Sequence, residues 1–198
     1  MELRITLVGT SPLLMHNQRL SDPLDPFSKA LKAISAKRVK TDEDHMEMSK
    51  LEFEGGLYFD PDFGPYIPGI NIQRSLVEGA RITKRGKDVD RGLLVLDARC
   101  KLEYRGPRTI EGLYNGGDEE HVSRMSAKVG QVRVMRTRPI FKEWAVECYA
   151  EMDLGQLNYD DLCAIAETAG KLAGLGDYRP SSPHGGPYGR YDAKVEQA

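Results

Sequence analysis

The residues best equipped for chemistry cluster near the end of the chain. Gly174-Leu175-Gly176-Asp177-Tyr178-Arg179-Pro180 and Gly185-Gly186-Pro187-Tyr188-Gly189-Arg190-Tyr191 interleave glycines with two arginines and three tyrosines. Glycine admits positive φ and lets a second backbone approach closely. Arginine pairs with phosphate through a planar fork, and a tyrosine ring offers a nucleobase a flat face to stack on. The same stretch also reads as a helix C-cap followed by a surface loop, because glycine so often ends helices. It is neither a Walker A loop, lacking Gly-Lys-Ser/Thr at the needed spacing, nor a dinucleotide fingerprint opening a helix.

Other catalytic constellations are missing from the sequence. No HExxH or paired CxxC offers metal-ligand spacing, and no Gly-x-Ser-x-Gly elbow offers a nucleophile. The expectation is therefore no metal and no cofactor. His45, His121 and His184 stand in polar stretches and are expected to be solvated. Cys100, Cys148 and Cys163 are odd in number and far apart, which suits small buried residues in a reducing compartment.

Positive charge is local, not global. The chain carries 28 Lys and Arg against 30 Asp and Glu, a net −2, so a polyanion could be met only by a regional excess. Two regions have one. Arg74 and Arg81 lie on the polar side of a predicted helix whose end is crowded by Lys84, Arg85 and Lys87. Cations there are also what the helix dipole favours. Between residues 105 and 142, eight cations (Arg105, Arg108, Arg124, Lys128, Arg133, Arg136, Arg138 and Lys142) face four acids. Gly116-Gly117 interrupts this region, and the alternation from Val132 to Arg138 predicts a projecting hairpin with one basic face. A solvated strand face fits it equally well.

The elements that position these groups follow from periodicity. With 198 residues, 40% apolar and 29% charged, the chain suits one globular domain or one domain with a large insertion. Leu3–Gly9 alternates as a half-buried strand stopped by Ser11-Pro12, and the prolines and aspartates of 21–26 mark a loop. Phe27, Ala30, Leu31 and Ile34 are at helical spacing, followed by a polar run through Lys40–Asp44. Leu51–Phe53 and Gly56–Phe59 read as short strands. Asn71 reads as the N-cap of a helix burying Ile72, Leu76, Val77 and Ala80, with Gln73 outward. Leu93–Tyr104 and Trp144–Asp153 are core strands, with Trp144 in the core. Asn158 caps a helix with a stripe of Leu162, Ile165, Ala166, Ala169 and Leu172, ended by Gly174. A short last strand carries Tyr191, Ala193 and Val195. No apolar run reaches the length of a membrane span, and Met1-Glu2-Leu3-Arg4 lacks signal-peptide order, so no membrane partner and a cytoplasmic location are expected.

The order strand, helix, strand, strand, helix, strand predicts an α+β fold: a ferredoxin-like (RRM-like) βαββαβ core with an antiparallel sheet. Insertions fall at about 12–65 and 105–142. Three landmarks then resemble the RAMP superfamily, which includes the backbone subunits of CRISPR effector complexes. These are the strand ending at Ser11-Pro12, the segment Tyr66-Ile67-Pro68-Gly69-Ile70-Asn71-Ile72-Gln73-Arg74-Ser75-Leu76 that runs into a helix, and the late glycine-rich loop. The resemblance, to a CRISPR subunit or a stand-alone phage or mobile-element relative, implies sequence-tolerant binding of single-stranded nucleic acid, RNA favoured, and self-association head to tail along the strand. It implies that Gly174, Gly176, Arg179 and Arg190 hold phosphates while Tyr178 and Tyr188 stack bases. Arg74, Arg81, Lys84 and Arg85 would extend the track, and Arg133, Arg136 and Arg138 would clamp it. Some relatives cut RNA with an Asp or His after the first strand, a region occupied here by His16, Asp22 and Asp25. An assembly protein without nucleic-acid binding is the third reading.

Overall fold

In chain order the strands are β1 (Glu2–Gly9), β2 (Leu13–Leu14), β3 (Phe59–Asp60), β4 (Gly64–Pro68), β5 (Leu93–Val95), β6 (Arg99–Glu103), β7 (Val122–Val129), β8 (Val132–Phe141), β9 (Ala145–Met152) and β10 (Tyr191–Gln197). The helices are α1 (Pro26–Ser35), α2 (Asp42–Gly56), α3 (Gly69–Ile82), α4 (Gly86–Gly92), α5 (Ile110–Tyr114) and α6 (Tyr159–Thr168). This computed structural model describes residues 1–129 and 132–198. The tip of the expected hairpin, Gly130-Gln131, and the side chain of Lys128 lie outside what it describes. The chain is α+β with antiparallel sheets. It divides into one unit of residues 1–13, 60–105 and 142–198 and another of 14–59 and 106–141.

In the first unit the sheet runs β10-β1-β9-β6-β4, and β5 also pairs with β9. β1 is central, with Ile5 opposite Val195 on one side and Cys148 on the other. Its alternation has a direct cause: Leu3, Ile5 and Leu7 are wholly buried while their neighbours are not. β9 repeats the pattern with Val146, Cys148, Ala150 and Met152 inward. The predicted strand Leu93–Tyr104 is two strands, broken at 96–98, where the Asp97 carboxylate accepts the Tyr149 amide at 2.6 Å. The hydrogen bond with the neighbouring Cys100, then burial, push the Cys148 thiol up, so it stays protonated as a core residue.

α3 and α6 pack together over this sheet. Ile72, Leu76, Val77 and Ala80 are buried as expected. A Cβ at Gly79 would stand 2.5 Å from that of Ala169, so glycine sets the closeness of the helix crossing. Three expectations shift here. α3 starts at Gly69, not after an Asn71 cap, because Gly69 lets the Asp97 carbonyl approach where a Cβ would come within 1.9 Å. Gln73 is buried, since its amide group bonds the Leu93 carbonyl (2.6 Å) and the Val95 amide (3.0 Å), holding β5 to the helix. Leu172 is exposed because α6 continues as a π-helical turn, Ala169–Ala173, which turns Gly170 and Ala173 inward instead.

The second unit holds the hairpin β7–β8, with β2 ordered beside β8. The expected polar run and the expected strand Leu51–Phe53 fall in a helix, α2, while the second expected strand, Gly56–Phe59, survives only at Phe59 in β3. Thr41 caps α2 through a reciprocal box with Asp44, and Gly55 fits inside it because a Cβ there would meet Leu20 at 2.6 Å. His121 is buried against Phe141, not solvated. The expected single basic face of the hairpin is not formed. The register is unbroken, so Arg133 shares a face with Met135 and Thr137, while Arg136 and Arg138 point the other way.

Candidate nucleic-acid interface

The glycine-rich loop begins where the π-helical turn ends, at Gly174 with φ 73°. Gly176, Gly185 and Gly189 are also at positive φ, and so is Tyr178 at 50°, where a bulky residue is uncommon. Two glycines are fixed by contact as well. A Cβ at Gly186 would lie 1.7 Å from the Tyr178 carbonyl oxygen, and one at Gly189 would lie 1.8 Å from that of Leu175. The loop is thus folded back on itself, with Leu175 buried beneath it.

The three sequence landmarks meet here. The Gly189 amide donates to the Pro12 carbonyl (2.8 Å), the Arg190 amide to the Ser11 hydroxyl (2.9 Å), and the Thr10 amide to the Arg190 carbonyl (2.8 Å). Trp144, buried as expected, donates its indole N–H to the Ser11 carbonyl at 2.9 Å. From the helix after Pro68-Gly69, the Ser75 hydroxyl donates to the Gly174 carbonyl at 2.8 Å. That leaves the buried Tyr191 hydroxyl, also 2.8 Å away, to donate to Ser75 Oγ. Burial pushes the Tyr191 phenol up, which keeps it the donor. Replacing Ser75 by alanine leaves both Gly174 and Tyr191 without this partner. We expect a loss of about 1–3 kcal/mol in urea unfolding, with faster amide exchange in 174–190.

Tyr178 is exposed, its ring 6.0 Å from that of Tyr188 and tilted by 36°. Arg179 is anchored by its own loop, donating to Ser181 Oγ (2.9 Å) and the Gly176 carbonyl (3.1 Å). Neither Arg179 nor Arg190 has a carboxylate partner among the described residues, and Arg190 is exposed. The Gly176 and Arg179 amides donate to no backbone carbonyl among the described residues. Gly174 differs: it is buried and its amide is taken by the Ala169 carbonyl, so it shapes the loop without presenting a donor.

The remaining candidates belong to both units. In the first unit Arg74 pairs with Asp90 (3.2 Å) and Arg81 with Glu78 (2.5 Å). Arg85 is held by Asp161 and Asp88, which raise its pKa. In the second unit Arg133 bonds Ser126, and Arg136 pairs with the buried Glu52, whose other oxygen takes the Thr137 amide at 2.7 Å. Arg138 is half-buried in the same strand. Asp22 accepts the Leu24 amide in a tight turn. Asp25 caps α1 through the Phe27 amide and pairs with Arg19. Burial alone would raise the Asp25 carboxyl, but these two partners outweigh it and hold it below its ordinary value. His16 is exposed. Both carboxylates thus serve local structure.

No family model matches the chain, and no curated protein matches it. Among the described residues, no helix is long and apolar enough to cross a membrane, and no group of three His, Cys, Asp or Glu side chains is placed to hold a metal. Ser11, Ser75, Gly186 and Gly189 lie within the sequence landmarks, but sequence alone assigns none of them its individual role in shaping the loop. A serine on the buried stripe of α3 was the one available signal, since a hydroxyl there requires a partner.

Proposed function

We propose that this chain is a sequence-tolerant single-stranded nucleic-acid-binding protein of the RAMP type, with RNA its favoured ligand and the glycine-rich loop its contact surface. The observation that carries the reading is the ring pair of exposed Tyr178 and half-buried Tyr188, flanked by Arg179 and Arg190. Two stacking faces beside two arginines with no carboxylate partner among the described residues suit an unpaired strand. A duplex would offer phosphates but no free base face.

The topology supports the same reading. The order β10-β1-β9 followed by β5 and β6, with α3 and α6 as the two crossovers, is the arrangement a ferredoxin-like βαββαβ core requires. The hydrogen bonds that join Ser11-Pro12, α3 and the loop support the RAMP likeness, because they give its three landmarks one shared structural purpose. Head-to-tail assembly along the strand belongs to the same proposal.

Fluorescence anisotropy with a labelled single strand and its duplex tests the reading. The single strand binds more tightly, RNA at least as well as DNA, and light scattering rises when it is added. Tyr178→Ala lowers single-strand affinity roughly tenfold, the effect of one lost stacking partner. Equal affinity for the duplex, or an unchanged Tyr178→Ala, refutes it.

A further inference from the structure

At the far end of α3, away from its first turn, a cleft of about 450 Å³ is lined by Val77, Arg81, Lys84, Gly86, Lys87 and Asp90. Two unusual residue choices converge on it. Lys84 is left-handed, with φ 62°, at the position just past a helix end where glycine is the ordinary choice. The local bonds fit such an ending: the Lys84 amide donates to the Arg81 carbonyl (3.0 Å) and the Arg85 amide to that of Ala80 (2.8 Å). Conversely, glycine stands at the first position of α4, where an unstrained helix would accept almost any side chain. Its missing Cβ would lie 2.6 Å from Arg81 Cγ, so Gly86 makes room for the Arg81 stem.

The charges around the cleft do not cancel. Asp90 is taken by Arg74, and Glu78 by one nitrogen of Arg81. Arg85 is shared between Asp161 and Asp88. Lys84 and Lys87 are exposed, with no carboxylate partner among the described residues. Among the lining residues themselves, Arg81, Lys84 and Lys87 against Asp90 leave a surplus of two positive charges, in a chain whose net charge is −2. Cations at a helix C-terminus are favoured by its dipole. That effect explains their presence near the end of α3. It does not explain a lysine in a glycine's conformation or a glycine withdrawn from beneath an arginine.

We propose that this cleft receives a dianionic phosphate group, either free phosphate or the terminal monoester of a nucleic-acid strand. Two ammonium groups and the guanidinium edge not used by Glu78 supply convergent donors with a matching surplus of charge. An internal phosphodiester, with one charge, satisfies the site less well. The inference rests on other residues than the glycine-rich loop and stands if the loop binds nothing.

Calorimetric titration with inorganic phosphate and pyrophosphate at low ionic strength is the test, followed by competition between 5′-phosphorylated and 5′-hydroxyl oligonucleotides. Wild type binds phosphate, and Lys84→Gly with Lys87→Gln lowers that affinity roughly tenfold or more. Lys84→Gly alone raises the melting temperature by about 2–4 °C, since it relieves the left-handed lysine, so its weaker binding cannot be ascribed to unfolding. A preference for the 5′-phosphorylated strand, erased by the double substitution, identifies the ligand as a strand end. Phosphate binding without that preference identifies it as free phosphate. Wild type that binds neither anion, or a double variant that binds as wild type does, overturns the proposal. Arg179→Ala with Arg190→Ala keeps phosphate binding here, which separates this site from the loop.

Discussion

Replacing Arg179 and Arg190 together by alanine will weaken binding of a single-stranded oligonucleotide roughly 10- to 100-fold at low salt. Two phosphate contacts are removed, so the slope of log affinity against log salt becomes shallower by about 1.4. The slope is the more telling measure, because a variant that merely loosened the loop would lose affinity without releasing fewer ions. Arg190 is the cleaner of the two: its backbone is fixed by Ser11 while the residue is exposed. Arg179 also bridges Ser181 and Gly176, so its truncation removes two internal hydrogen bonds as well. Arg179→Lys therefore separates charge from geometry. It keeps the electrostatic slope but loses the fork that reaches both partners. An affinity and slope unchanged in the double variant would end the nucleic-acid reading of the loop.

Much of the first unit was legible because its elements bury one face at the period of their own geometry. Leu3, Ile5 and Leu7, or Val146, Cys148 and Ala150, leave little choice but a half-buried strand. The capped start of α6 was equally plain, since Asn158 accepts the Asp161 amide as its position suggested. α2 was illegible for the opposite reason. Its buried set includes Asp44 and Glu52, acids that stay inside because Lys37 and Arg136 meet them, and Gly55 and Gly56, which imitate a turn. No hydrophobic stripe survives such choices. Among the site residues, composition located the loop but could not say which glycines shape it and which present donors. That division depends on contacts from Pro12, Ser75 and Leu175, distant in sequence from the loop or hidden beneath it. The hairpin shows a simpler failure: arginines three apart on a strand cannot share a face.

Gly170→Ala will destabilise the protein by about 3 kcal/mol or more, although helix propensity alone predicts a gain near 1 kcal/mol. The added Cβ would come within 1.9 Å of the Tyr191 carbonyl oxygen, a backbone atom. That carbonyl cannot withdraw freely, because Tyr191 is registered against Gly9 in the β10–β1 ladder and its side chain is bonded to Ser75. Relief therefore requires the π-helical turn to lift off the strand, and with it the Gly79–Ala169 crossing. Thermal unfolding should show a drop of about 6–12 °C. A melting temperature equal to or above that of wild type would mean that the turn and β10 are not packed as described. Gly186→Ala makes an informative companion, since its clash with the Tyr178 carbonyl lies within the exposed loop. It should reduce binding more than stability.

The position of β1 also dictates how the chain must acquire its structure. The strand emerges well before its partners, since both of its hydrogen-bonding neighbours lie beyond residue 144. At ribosomal speeds the wait for β9 is roughly 7–30 s, during which an apolar segment has two open edges. Such a high contact order makes folding slow and exposes the nascent chain to edge-to-edge aggregation. Chaperone capture of the early chain, and insolubility of fragments ending before β9, are the cellular signs to look for.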